Sequence, residues 1–239
     1  MHDDMHRLQH FIRLVVERAM SVEHIEGESL ACMTFVPVSG FMYIILYEPN
    51  GIYNAIIDKI DQHVEAGRRL ELRRIVLGIG RAQQSKAAKH LYAGIAIEQL
   101  PRCANAWTIG LVHAKQGWGP LIYDIAMSKT HEGLVPSRTS ISSAAAKVWN
   151  YYMTRRDDVE KQPIPKGCKQ YRKDGQEAFN LIYRSTKQPP DLSAAEARHE
   201  AFIKMLLELN DRNDGTKRLT RQDAERALVE TFRQSFSYR

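Results

Sequence analysis

The sequence predicts an α/β fold, a mixed sheet flanked by helices with more helix at the C-terminal end. Three observations carry that expectation. Apolar stripes of helical period alternate with short β-rich runs. Turn signals such as Pro37-Val-Ser-Gly40 and Glu48-Pro-Asn-Gly51 separate the runs. From Trp107 onward the chain reads strand, glycine-rich turn, helix, short extended piece, helix.

Leu8, Phe11, Ile12, Val15, Val16 and Ala19 recur at the spacing of one helical face. Leu30 to Tyr47 reads as strand, turn, strand. Helical spacing returns at Ile52, Ala55, Ile56, Ile60 and Val64, with Gly67 as its end. "LRRIVLGIGRA" and "LYAGIAIEQL" read as β-like runs separated by the polar "QQSKAAKH". "AWTIGLVHA" is a further strand and "PLIYDIAMSK" a further helix, followed by the extended "GLVPSRTSIS". Ser142 or Ser143 then caps a helix that runs through Trp149, Tyr151 and Tyr152.

Past Arg156 the composition turns polar, with Pro163, Pro165, Gly167 and Gly175, and reads as a linker or long loop. Two helices follow, each opened by a cap residue and an acid three positions on: Ser193 with Glu196, Thr220 with Asp223. Their apolar faces (Phe202, Met205, Leu206, Leu209; Ala224, Leu228, Phe232) must pack on something. The expected organisation is therefore a core over 1–156, a linker over 157–192 and a helical extension over 193–239.

With 239 residues, 44% of them hydrophobic, the chain can bury a substantial core. No run of 18 apolar residues is present, so no membrane partner is expected. The start, "MHDDMHRLQH", does not read as a signal peptide. Cys32, Cys103 and Cys168 are odd in number and far apart, with no zinc spacing, which favours a reduced, cytoplasmic setting. The net charge of +6 is not gathered in one tail: from Arg155 onward 18 Lys/Arg face 14 Asp/Glu. Such a surface suits weak contact with nucleic acid or another anion without requiring it.

The stretch "WTIGLVHAKQGWGPLIYDIAMSK" carries the candidate chemistry. Pro120 fits the first helical position, so the helix begins just past Gly119. Helix-start N–H groups near Gly117, Trp118, Gly119 and Leu121 lack intrahelical acceptors and sit at the positive end of the dipole. With no Cβ at 117 and 119, an anionic group can come close. A plain strand-to-helix turn that uses glycine for tight packing is the commoner reading of a lone GxG before a helix. Neither a Walker loop nor GxGxxG is present, since position 122 is Ile.

"VHAKQGWGPLIYDIAM" resembles the pyrophosphate loop of the GNAT superfamily of N-acetyltransferases, in which a splayed strand leads through [QR]xxGx[GA] into a helix. "GLVPSRTSISSAAAKVWNYYMTRRDDV" resembles the closing half of that fold, and the combination is similar to acetyltransferase-like proteins of tailed bacteriophages. The resemblance covers Trp107 to Asp158 and leaves the C-terminal third without a counterpart. It implies a GNAT-like, mostly antiparallel mixed sheet. It also implies acetyl-CoA as co-substrate, held by the chain amides of Gln116 to Leu121, with Trp118 among them. Val112 and Ala114 would line the pantetheine arm, and Tyr152 would protonate the leaving thiolate. Ala114 stands where the motif has Gln or Arg, Pro120 removes one amide, and serines at 140, 142 and 143 replace an asparagine common early in the last helix.

Acyl transfer to an amine also needs a base, for which Glu98 and His113 are candidates. A solvated edge carboxylate and a structural histidine are equally good readings of those two. Arg138 suits a phosphate or a structural salt bridge. No nucleophilic triad and no metal-ligand spacing is present. Two functions are therefore expected. The first is a CoA-dependent N-acyltransferase with a small-molecule, protein or modified-base amine as acceptor. The second is a cofactor-free binding or virion-associated module of the same fold, with nucleic acid as a partner. Oligomeric state stays open.

Overall fold

The computed structural model describes residues 30–65, 72–79, 86–171, 176–188, 190–211 and 218–236. The helix expected over Leu8 to Ala19 and the helix end at Gly67 lie outside the described residues. Among the described residues the architecture is a seven-stranded mixed sheet, mostly antiparallel, accompanied by six α-helices.

Strands β1 (Ala31–Val38) and β2 (Phe41–Tyr47) are joined by the two-residue turn Ser39-Gly40, with Gly40 at φ 78°. Helix α1 (Pro49–Glu65) opens on a proline and buries Ile52, Ala55 and Ile56. Next comes α2 (Leu72–Ile79), where "LRRIVLGIGRA" had been expected to be extended. The reason is spacing: Leu72, Ile75, Val76 and Ile79 are the buried residues, at i, i+3, i+4 and i+7. Branched residues raise strand propensity, but this period places them on one helical face, and tertiary burial decides.

Strands β3 (Leu91–Gln99) and β4 (Trp107–Ala114) follow, then α3 (Gly119–Lys129), the two-residue β5 (Leu134–Val135) and α4 (Ser143–Arg155). Ser142 caps α4 by accepting the Ala145 N–H at 3.2 Å. Residues 157–192, expected as linker, instead supply β6 (Val159–Pro163) and β7 (Leu181–Ser185). These pair antiparallel from Val159↔Ser185 to Pro163↔Leu181. Strand β6 is at the edge of the sheet and only Val159 in it is buried, so its sequence is polar enough to read as loop. Pro163 is tolerated because an edge strand need not donate on both sides.

The strands are hydrogen-bonded in the order β1-β2-β3-β4-β5-β7-β6. The β4–β5 pair is parallel and is limited to Trp107↔Leu134 and Thr108↔Val135. On its other side β5 meets β7 antiparallel at Leu134↔Tyr183.

The described residues fall into two compact units. One contains Val36–Ile44 and Ile95–Asp191; the other combines Ile45–Gly94 and Leu192–Arg239 with the residues just before β1 and its first half. The C-terminal helices α5 (Ser193–Asp211) and α6 (Arg221–Phe236) thus pack with α1 and α2 rather than standing as an appendage. The expected cap of α6 is reciprocal. The Thr220 N–H and hydroxyl both reach Asp223 Oδ2, and the Asp223 N–H reaches Thr220 Oγ1. Arg73 of α2 then binds the same carboxylate with two N–H groups, at 2.9 and 3.0 Å. In this unit Tyr47 is hydrogen-bonded to His199 Nδ1 at 2.7 Å, and Phe202 packs edge-on to Tyr47.

The cysteines also depart from expectation. Cys103 and Cys168 form a disulfide across 65 residues, with Cα atoms 4.7 Å apart, and Cys32 is a buried thiol. Their separation in sequence hid the pair, because only the tertiary fold brings the loop between β6 and β7 back to the turn before β4. The argument for a reduced setting from unpatterned cysteines therefore falls away. No helix among the described residues is long and apolar enough to cross a membrane.

Candidate functional site

The site begins where β4 leaves β5. After Trp107 and Thr108, the residues Ile109 to Ala114 have no partner in β5. Val112, His113 and Ala114 are half-buried along the part of β4 that runs on past the end of β5. A tight turn then closes, with the Trp118 N–H donating to the Lys115 carbonyl at 3.0 Å. Gly117 sits at φ 90°, a conformation that L side chains resist, so the turn itself requires this glycine.

Gly119 is different. It lies at the first position of α3 without a positive φ, and a Cβ there would meet nothing within 4 Å. A Cβ at Gly117 would also point into open space. Nothing in the fold demands glycine at 119, where it costs about 1 kcal/mol against alanine within a helix. The first helical bond runs from Ile122 N–H to the Trp118 carbonyl. The N–H groups of Gly117, Gly119 and Leu121 find no backbone acceptor among the described residues. Of the amides expected over Gln116 to Leu121, Trp118 is thus spent on the turn and Pro120 has none.

Tyr152 reaches this turn from α4. It is fully buried, its hydroxyl donates to Asp124 Oδ1 at 2.7 Å, and the Pro120 carbonyl oxygen lies 3.2 Å from the same hydroxyl. Tyr123, Trp149 and Tyr183 surround its ring, with centroids 6.3, 6.1 and 6.3 Å away. Arg156 stacks over the other face at 5.1 Å. Burial raises the Tyr152 pKa well above the usual phenol value, and the neighbouring Asp124 carboxylate pushes it the same way. Asp124 is itself raised by burial, against the pull of Arg156 and of the Tyr152 hydroxyl. Arg156 contacts Asp124 at 3.3 Å and holds Asp158 by two bonds of 2.7 Å, and the hydrogen bond from Arg156 draws Asp158 down to about 2.

The two candidate bases do not meet. A Cβ at Gly110 would stand 3.7 Å from the Ala96 carbonyl, which fixes how β3 lies beside β4. The short connection between these neighbours makes them antiparallel. Glu98 therefore lies beside the start of β4, roughly five residues or about 17 Å from His113. Glu98 is exposed, whereas His113 is half-buried two residues before Lys115 and the turn. Only His113 shares a neighbourhood with the glycines.

Arg138 turns out to be a staple. It is buried and donates to the carbonyls of Pro136, Lys169 and Phe179, with its plane 5.1 Å from the Tyr171 ring centre. Asp124, Arg156 and Asp158 were not singled out by the sequence. A helical acid four residues after Pro120 and an Arg-Asp-Asp run at a helix end carry no motif. Among the described residues no group of three or more His, Cys, Asp or Glu is placed to hold a metal. Comparison with known protein families, characterised proteins and solved structures gives no match for this chain.

Proposed function

We propose that the protein is a CoA-dependent N-acyltransferase that passes an acetyl group directly to an amine. The observation that carries this reading is the open space over Gly117 and Gly119 at a helix start that follows a strand running on past the end of its neighbour β5. That combination is the one the GNAT-like sequence pattern implies, and the mixed sheet is compatible with it.

Acetyl-CoA supplies the activated thioester when bound. The N–H groups of Gly117, Gly119 and Leu121 would hold its pyrophosphate, aided by the positive end of α3. Residues Ile109 to Ala114 have no partner in β5, and the edge of β4 opposite β3 is where an extended arm would pair. His113 is the proposed proton acceptor from the amine, being the candidate base nearest the turn. Tyr152 is the proposed proton source at its Oη. Burial keeps it protonated at neutral pH, and Asp124 fixes the hydroxyl. In the described arrangement that proton is committed to Asp124, so donation to a leaving group requires the bond to be exchanged. Ala114 in place of Gln or Arg means that the strand end offers no polar side chain of its own there.

The test is calorimetric titration with acetyl-CoA of the native protein and of Gly119→Glu. Glutamate at the first turn favours the helix and needs no unusual φ, so the variant folds while placing a carboxylate where phosphate would sit. Gly117→Glu would confound the result with backbone strain. Micromolar binding lost in Gly119→Glu supports the proposal. No binding by the native protein at millimolar acetyl-CoA removes it and leaves the cofactor-free binding module.

A further inference from the structure

A second concavity lies at the opposite end of β4 from the Gly-Trp-Gly-Pro turn. It has a volume of about 980 Å³, within the range of small-molecule sites. Its walls are the short 3₁₀ turn Pro101–Cys103 and the loop Lys166 to Gln170, tied together by the Cys103–Cys168 disulfide. Beneath the disulfide Ala106, Val135, Ile164 and Ile182 form a buried apolar floor. Trp107 to Ala114 spans about 23 Å as an extended strand, so this pocket is separate from the proposed pyrophosphate turn.

The chemistry of the lining is one-sided. Of ten lining residues four are cations, Arg102, Arg138, Lys166 and Lys169, and none is acidic. Arg102, Lys166 and Lys169 are exposed around the mouth. Arg138 is only 8% exposed, and its bonds to three carbonyls use three of its five N–H groups. No carboxylate pairs with it among the described residues, and burial pulls its pKa below the ordinary arginine value. A buried guanidinium without a counter-charge is costly, and four cations around one concavity repel one another. An anion in the pocket removes both penalties.

We propose that this pocket binds a phosphate-bearing ligand of nucleotide size, with the Arg138 fork at its base and Arg102, Lys166 and Lys169 at its mouth. Phosphate suits the site because a planar guanidinium donates two parallel N–H bonds to it, while lysines add charge without fixed direction. The disulfide holds the two cationic walls at a set spacing, which lowers the ordering cost of binding. This inference does not rest on the acyltransferase reading, since it uses none of the residues of the turn.

The experiment is titration of the oxidised protein with inorganic pyrophosphate, with ATP and with a mixed-sequence single-stranded DNA, followed by calorimetry and fluorescence anisotropy. The comparison variant is Lys166→Glu/Lys169→Glu, which reverses two exposed charges and leaves the core and Arg138 in place. The expected result is saturable binding that weakens by about tenfold or more in the variant while its melting temperature stays close to native. ATP binding without DNA binding identifies a nucleotide. DNA that displaces pyrophosphate identifies a nucleic-acid backbone as the source of the phosphate. Absence of saturable binding by all three probes overturns the proposal, as does equal affinity in the native protein and the variant. Gly119→Glu, which tests the turn, should leave these affinities unchanged.

Discussion

The Tyr152 hydroxyl donates to Asp124 at 2.7 Å and stands 3.2 Å from the carbonyl of Pro120. Helix α4 is thereby fastened to the first turn of α3, at the point where the glycine turn ends. Replacing Tyr152 with Phe keeps the ring and its aromatic neighbours and removes only the hydroxyl. Asp124 then loses its closest donor in a buried position, and a loss of about 1–3 kcal/mol in urea unfolding is expected. A change below a few tenths would mean that water replaces the hydroxyl without cost.

The disulfide closes a segment of 65 residues. Chain-entropy arithmetic for a loop of that length gives about 4 kcal/mol. Cys103→Ala/Cys168→Ala is expected to lose a comparable amount in urea unfolding, and dithiothreitol should lower the native protein to the same midpoint. If reductant leaves the native midpoint unmoved, the bond does not form in solution.

Acid sensitivity should be marked below pH 4. Asp223, through its hydrogen bond from Arg73, and Asp158, through that from Arg156, titrate near 2 in the fold against an ordinary value of 3.8. A depressed carboxylate pKa contributes stability that is present above the unfolded value and lost as pH falls through the folded one. Stability measured from pH 5 to pH 2 should therefore drop, and Asp223→Asn should flatten part of that slope.

His199 adds a separate step. Burial lowers its pKa below 6.5, opposed by Glu225 and Glu200, so the fold keeps it neutral beside Tyr47. The unfolded chain binds the proton more tightly, so stability is complete above about pH 6.5 and declines as pH falls toward the folded value. His199→Gln should remove this step between pH 7 and pH 5 while leaving the carboxylate step below pH 4.

A methyl group at Gly94 would stand 2.5 Å from the Phe232 ring, which is fully buried. Gly94→Ala should destabilise by about 1–3 kcal/mol through overpacking. Adding Phe232→Leu should recover part of that loss, and the absence of any coupling between the two changes would place their side chains apart.

Much of this architecture was legible from period and punctuation. The hairpin, α1, β3, β4, α3 and the two C-terminal helices follow from spacing, glycine, proline and caps in the sequence. Residues such as Leu72 and Ile75 misled because branched side chains suit both a strand and a short buried helix. The β6–β7 hairpin was hidden because an edge strand with one buried residue has no apolar alternation to display. At the candidate site, Gly117, Gly119 and Tyr152 were visible as residue types at a junction. The Asp124–Arg156 pairing was not, since a contact across 32 residues leaves no local pattern. The cationic pocket was hidden for the same reason: its residues come from three separate segments.

Strand β5 is two residues long, yet it is the whole connection in the sheet between β4 and β7. Cys103 belongs to the connection before β4, and Cys168 to the connection between β6 and β7. The bond between them is a covalent bypass around the narrowest waist of the sheet. With it intact, pulling β6–β7 away from β4 must stretch a tether as well as break a few rungs. Once it is cut, the short ladder of Trp107 and Thr108 with Gly133 to Val135 holds that waist without the tether, and hydrogen exchange there should report how readily the two sides part.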